Sequence, residues 1–458
     1  MRLALITYWL RKAIAGLVAL AVGACASLDE APGPQQYAGG WRIPFEGSAS
    51  RPVLSGGVLY VGSEDGAIYA LDAKSGGIKW RFQTGEGLVS GTEIITVRPG
   101  AGLLEMIEAA ESRGPRRGKR EVDATPVVEN GTVFIGSKDY SFYAIDAATG
   151  RKKWSFQTGG EIHENAVTHG AMVLFTSRDG FLYAVDANTG EKKWAFETRV
   201  PKSEPKAPIV ADRVIYLAAG LYLYAIDVTS GLAKWSLFTG MSDFSQPTKT
   251  NSLIFVSKKQ DTYAVERNRT TLLAVDASSG KVKWEIEAEG YPIGRRSSVI
   301  AVRDMVILGT ARGLFAVDRE TGAPRWNRVG GEGQYGPVYA DESLVYFAFM
   351  KGSVVGGTDG VLYALDPVTG KDRWSFTPSR QIVAVLGDSI CVAAKGYLYS
   401  VHKETGKELW KIDARVRTAA TPLITSDTVF IPGMTQRYVG RAPHQGYFYA
   451  IDAKSGGL

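Results

Sequence analysis

The chain has 458 residues, 53 glycines, ten tryptophans and a formal net charge of +6. That length exceeds what one hydrophobic core ordinarily organises, and so small a charge surplus gives no argument for a nucleic-acid partner. Four histidines and two cysteines leave little material for a metal centre, a catalytic triad or a disulfide framework.

The N-terminus reads separately. Arg2 and the pair Arg11-Lys12 precede the apolar stretch Ala13 to Ala21, and Val22-Gly-Ala-Cys25 follows. A charged leader, a short apolar run and small residues make an export signal over residues 1–24. The run after Lys12 is too short for a bilayer, which takes about 20 apolar residues. A cut before Cys25 removes Arg2, Arg11 and Lys12 and no acid, so the formal charge falls from +6 to +3. Residues 25–40 read as a linker.

From Trp41 onward one unit recurs. Its clearest copies are Tyr69-Ala-Leu-Asp-Ala-Lys-Ser-Gly-Gly-Ile-Lys-Trp80, Tyr143-Ala-Ile-Asp-Ala-Ala-Thr-Gly150 with Trp154, and Tyr183-Ala-Val-Asp-Ala-Asn-Thr-Gly190 with Trp194. The anchors are Asp72, Asp146, Asp186, Asp227, Asp276, Asp318, Asp366, His402 and Asp452, spaced by 74, 40, 41, 49, 42, 48, 36 and 50 residues. A period in the forties is that of a four-stranded propeller blade. Alternating runs such as Trp154-Ser-Phe-Gln, Thr132-Val-Phe-Ile-Gly and Phe142-Tyr-Ala-Ile read as strands, with Asp65-Gly66, Asp179-Gly180 and Asp359-Gly360 as hairpin turns. The fold expected is all-β: a single propeller over residues 41–458. The anchors count nine blades, with eight as the alternative.

Asp-x-x-Thr/Ser-Gly is turn chemistry, because a short carboxylate accepts backbone N–H bonds and glycine supplies a positive φ. Trp80, Trp154, Trp194, Trp235, Trp284, Trp326, Trp374 and Trp410 are expected to fill the space between blades. The last unit stops at Ile451-Asp-Ala-Lys-Ser-Gly-Gly-Leu458 without its tryptophan, and Trp41-Arg-Ile-Pro-Phe stands alone at the other end. The N-terminal strand therefore completes the last blade and closes the ring, removing two exposed sheet edges.

Function is expected where the repeat is broken. The first Asp-to-Asp step carries an excess near residues 100–121: a helix-forming run from Leu103, then Arg113-Gly-Pro-Arg-Arg-Gly-Lys-Arg120. Arg113, Arg116, Arg117, Lys119 and Arg120 form either a solvated basic loop or a docking element for an acidic partner. Smaller excesses span 258–271, 350–358 and 433–445. His163 and His169 lack the spacing of a zinc motif, His402 replaces a turn Asp, and Cys391 reads as a buried small hydrophobe.

These repeats resemble the PQQ-like repeats of quinoprotein dehydrogenases. Val22-Gly-Ala-Cys25 resembles a lipoprotein lipobox, which implies a lipid on Cys25, and Ala26 is consistent with outer-membrane sorting. A lipobox followed by one propeller is similar to the BamB family, as is the run Glu121-Val-Asp-Ala-Thr-Pro-Val-Val128. That resemblance implies a lipid-anchored, periplasm-facing monomer within a complex at the outer membrane, binding the barrel insertase and unfolded barrel proteins. The quinoprotein enzymes carry an adjacent cysteine pair and a calcium site with an Asp base. No Cys-Cys pair occurs here, so neither catalysis, PQQ nor a bound metal is expected. A periplasmic ligand-binding or sensing propeller is the alternative.

Overall fold

The computed structural model describes residues 35–457 apart from 38, 47–48, 86–120, 200–204, 241–243, 261–268, 291–298, 330–332, 336–337, 352–359, 380, 395, 414–415, 418–421 and 436–444. The described residues form nine antiparallel sheets, one per blade. Blades 1 to 8 comprise residues 53–83, 127–157, 167–197, 209–238, 248–289, 299–329, 333–379 and 381–413. Blade 9 comprises 416–452 together with Gly40–Glu46. The count is therefore nine, beyond the four to eight blades usual for a propeller.

Each blade shows why its sequence makes four different strands. The first is short, as in Val167–His169, and touches the first strands of neighbouring blades, so it lies innermost. The second is apolar throughout, as in Thr132–Gly136, where every residue is buried. It is covered on both faces by adjacent blades, which is why its pattern is continuous rather than alternating. The fourth alternates exposed and half-buried positions, as in Lys192–Glu197, because it forms the outer rim.

The tryptophans join each blade to the next. Trp154 Nε1 donates to the carbonyl of Ala187 at 3.1 Å, and equivalent bonds run from Trp41, Trp80, Trp194, Trp235, Trp284, Trp326, Trp374 and Trp410 to the neighbouring turns. Each indole also lies over the turn glycine. A Cβ on Gly190, whose φ is +75°, would sit 2.7 Å from Trp154 Cδ2. Trp154 does not open its strand. The strand begins at Lys152, and a bulge before the tryptophan shifts the register against the third strand. Bulges turn the strand locally.

Closure follows the same rule. Trp41 pairs with Ala450 and Ile43 with Phe448 in antiparallel register, placing the N-terminal strand beside Gln445–Asp452. Trp41 then reaches over Gly76 of blade 1 and donates to Ala73. Nine apolar clusters link all nine neighbouring pairs, including blade 9 to blade 1 through Trp41, Leu59, Leu71 and Phe448. One refinement concerns the linker. Gln35–Tyr37 pairs outside Gly40–Glu46, because Gly39 lets the chain turn back against Gly457.

Candidate functional site: one face of the ring

Antiparallel order sorts the connections onto two faces. First-to-second hairpins and the Asp turns share one, called here the turn face. Second-to-third hairpins and the linkers between blades share the other, the linker face. The turn face is uniform. Asp186 Oδ1 accepts from the N–H groups of Asn188 and Thr189 at 3.0 and 3.1 Å, and Asp72, Asp227, Asp276, Asp318, Asp366 and Asp452 do the same in their turns. Side-chain bonds, from Ser278 to Asp276, Arg325 to Asp318 and Ser455 to Asp452, join these backbone bonds in favouring the ionised form, so the pKa values lie below the ordinary aspartate value, with Asp276 and Asp366 at about 2. Where His402 replaces Asp, its Nδ1 accepts from the Glu404 N–H at 3.3 Å, so the imidazole fills the same turn role.

The linker face is where the repeat varies. The long segments 86–120, 261–268, 352–359 and 436–444 all leave and rejoin the described chain there. Arg113, Arg116, Arg117, Lys119 and Arg120 lie outside the described residues, as do Cys25, the expected helix from Leu103, and Asp359. Segment 86–120 returns at Glu121, on the edge of an ordered ionic chain.

That chain begins with Lys138, whose Nζ is 2.6 Å from Glu121 Oε2 and 3.0 Å from Asp123 Oδ2. His163 then bridges blades 2 and 3: Nδ1 is 3.3 Å from Asp123 Oδ2 and Nε2 is 2.7 Å from Glu161 Oε2. Arg178 closes the chain on Glu161 at 3.0 Å. Burial disfavours the charged His163 ring, but hydrogen bonds to Asp123 and Glu161 outweigh it and raise its pKa above the usual value. Asp123 is likewise held low by His163 and Lys138 against the opposing effect of burial. Both imidazole nitrogens are engaged, so His163 is built here as an ionic bridge.

The same linkers are fixed by backbone bonds, Lys138 N to Glu121 O at 3.0 Å and Arg178 N to Glu161 O at 2.9 Å. The sequence contained a signal for this network. Glu121 and Lys138 are 17 residues apart, and so are Glu161 and Arg178 in the next repeat. A reading that followed only the Asp and Trp anchors missed it. Cys391, read from the sequence as a buried small hydrophobe, is buried between blades 8 and 9, and burial pushes its thiol up to about 12.

Comparison with known proteins places this architecture. An assembly factor BamB from Nitrosomonas eutropha is 28% identical over 127 residues, covering 26% of this chain and 31% of that protein. The aligned part thus spans about a third of that relative's length. The crystal structure of BamB from Moraxella catarrhalis superposes with a TM-score of 0.51 at 14% identity, covering 79% of this chain and 98% of that one. A quinohemoprotein alcohol dehydrogenase from Pseudomonas putida HK5 superposes with a TM-score of 0.52 at 15% identity, covering 91% of this chain and 76% of its own. Both likenesses are of fold alone. A family model matches residues 26–111, 90–328 and 358–458, so the chain belongs to the family described as outer membrane protein assembly factor BamB.

Proposed function

We propose that this protein is a scaffold that binds other proteins through the linker face of its propeller, in the assembly of outer-membrane β-barrel proteins. One observation carries the choice of face: all four long departures from the repeat leave the ring on the linker face, while the turn face repeats one motif nine times. Binding elements on repeat scaffolds are characteristically such insertions on a single face. Family membership supports the process. In this reading a lipid on Cys25 holds the chain to the outer membrane, facing the periplasm. The basic run Arg113 to Arg120 supplies a docking element for an acidic surface. The chain acts as a monomer within a complex and carries out no covalent chemistry.

The test is recovery of the lipidated protein from mild-detergent envelopes, with mass spectrometry of what accompanies it. Stoichiometric recovery of a β-barrel insertase is expected, and removal of residues 100–120 should reduce it. Recovery of the intact propeller without any insertase would contradict the assembly reading.

A further inference from the structure

Next to the ionic chain the linker face holds a cleft between blades 3 and 4. Its walls are the linker Glu161 to Glu164, the hairpin Thr176 to Arg178, and Pro205-Lys206 of the following linker. Two of its polar groups stand without partners among the described residues. Lys206 is only 8% exposed, and the described residues give its ammonium no ion pair or hydrogen bond. Thr176 is 2% exposed, and its Oγ1 has no hydrogen-bond partner. A buried hydroxyl without a partner carries a desolvation cost, and a largely packed lysine with no counter-ion leaves its charge uncompensated, so both call for a group that accepts hydrogen bonds.

The repeat shows that neither residue is needed for packing. Lys206 N donates to Ala218 O at 2.9 Å, as Ser50 N does to Gly62 O and Ser245 N to Ser257 O, so a lysine stands where blades 1 and 5 use serine. Thr176 occupies the place of Gly62 and Gly136. There the space a side chain would take is filled by Val122 and Ile162 of the next linker, which a Cβ would meet at 2.5 and 2.1 Å. Blade 3 has a hydroxyl instead, beside a cleft.

We infer that this cleft is a binding site for a carboxylate, held by the Lys206 ammonium and the Thr176 hydroxyl. Size and charge select that group. The half-open cleft offers about 30 Å³ to water-sized groups, which is room for the two oxygens of a carboxylate. Glu161 is already neutralised by Arg178 and His163. Lys206 thus offers one uncompensated positive charge, which suits a singly charged carboxylate, and a doubly charged phosphate would be repelled more strongly by Glu164 across the cleft. The carboxylate belongs either to a free small acid or to an acidic side chain of a bound polypeptide. The inference does not depend on the assembly reading, since a simple acid tests it with no partner present.

The experiment follows the backbone amide resonances of Ser177 and Lys206 in the purified full-length protein. The probes are acetate, inorganic phosphate and the blocked tripeptide acetyl-Gly-Asp-Gly-amide. Acetate and the tripeptide should shift both amides saturably, with phosphate at least about tenfold weaker. Lys206→Met should abolish saturation, and Thr176→Val should weaken it about tenfold, the loss of one hydrogen bond to a charged group. Thr176→Val should be at least as heat-stable as the parent, because it removes an unpartnered hydroxyl. Tighter binding of the tripeptide than of acetate assigns the carboxylate to a polypeptide, and equal binding assigns it to a free acid. Absence of saturable shifts up to about 100 mM of either acid, or shifts that survive Lys206→Met, would overturn the inference. So would phosphate binding more tightly than acetate. Were Lys206→Met to unfold, Thr176→Val and the phosphate contrast would still decide.

Discussion

At the residue scale the fold rests on one exchange, a tryptophan from one blade against the glycine of the next turn. Gly190 must be glycine for two reasons, its φ of +75° and the 2.7 Å a Cβ would leave to Trp154. Gly131 has a φ of +67° but nothing within 4 Å of its Cβ position. Gly131→Ala should therefore cost about 1 kcal/mol of backbone strain. Gly190→Ala should cost about 2–4 kcal/mol, because overpacking adds to the strain. Urea unfolding of the two variants separates these terms, and equal costs would mean that the indole contact is not structural. Titration supplies a second pair of opposed effects. The turn aspartates have depressed folded-state pKa values, so their contribution to stability is complete above about pH 4. It is lost as pH falls through the folded values, about 2 for Asp276. His163 has a raised value, so its contribution is complete below about pH 6.5 and is lost as pH rises through the folded pKa. Melting temperature should thus fall at both ends, with Asp276→Asn flattening the acid limb and His163→Gln the alkaline one. Much of this was legible in the sequence, since Asp, Gly and Trp recur at fixed offsets. The chain from Glu121 to Arg178 was signalled only by the repeated 17-residue spacing of Glu and its cation. Its members meet only when two linkers and two hairpins are brought together in space.

At the scale of elements, the strand Gly40–Glu46 closes the ring. Without it Gln445–Asp452 would present an open edge, and Gly76 would lose the Trp41 indole that covers it. A chain lacking residues 25–46 should still form blades, because each packs only on its neighbours. It should unfold with lower cooperativity and self-associate through the opened edge. Light scattering and calorimetry of that truncation check this, and a monomer with unchanged melting would show that closure lies elsewhere. The missing tryptophan of the last repeat was enough to foresee this pairing. The extra strand Gln35–Tyr37 was not foreseeable, because its three residues carry no alternation and its place depends on Gly39 meeting Gly457. The tryptophans from Trp80 to Trp410 likewise marked their strands without marking the starts, since the bulge that precedes each one is set by pairing across the sheet.

For the whole molecule, nine blades follow from nine anchors, and the clusters between blades run unbroken around the ring. Topology then does what composition could not: it places the ends of every long departure from the repeat on one face and leaves the other uniform. Arg113 to Arg120 could be named from sequence as a docking element, but the face from which its segment leaves the described ring depends on strand order. The cleft at Lys206 was hidden for a related reason. A lysine in a linker is unremarked until two other blades show serine in its place and burial shows the residue packed against the cleft. Hydrogen-exchange footprinting of the protein, alone and with the partner it recovers from envelopes, tests the central claim most directly. The account predicts protection at the linker face, around residues 158–166, 177–180 and 205–206, and unchanged exchange in the turns 186–190 and 227–231. Protection confined to the Asp turns would contradict it.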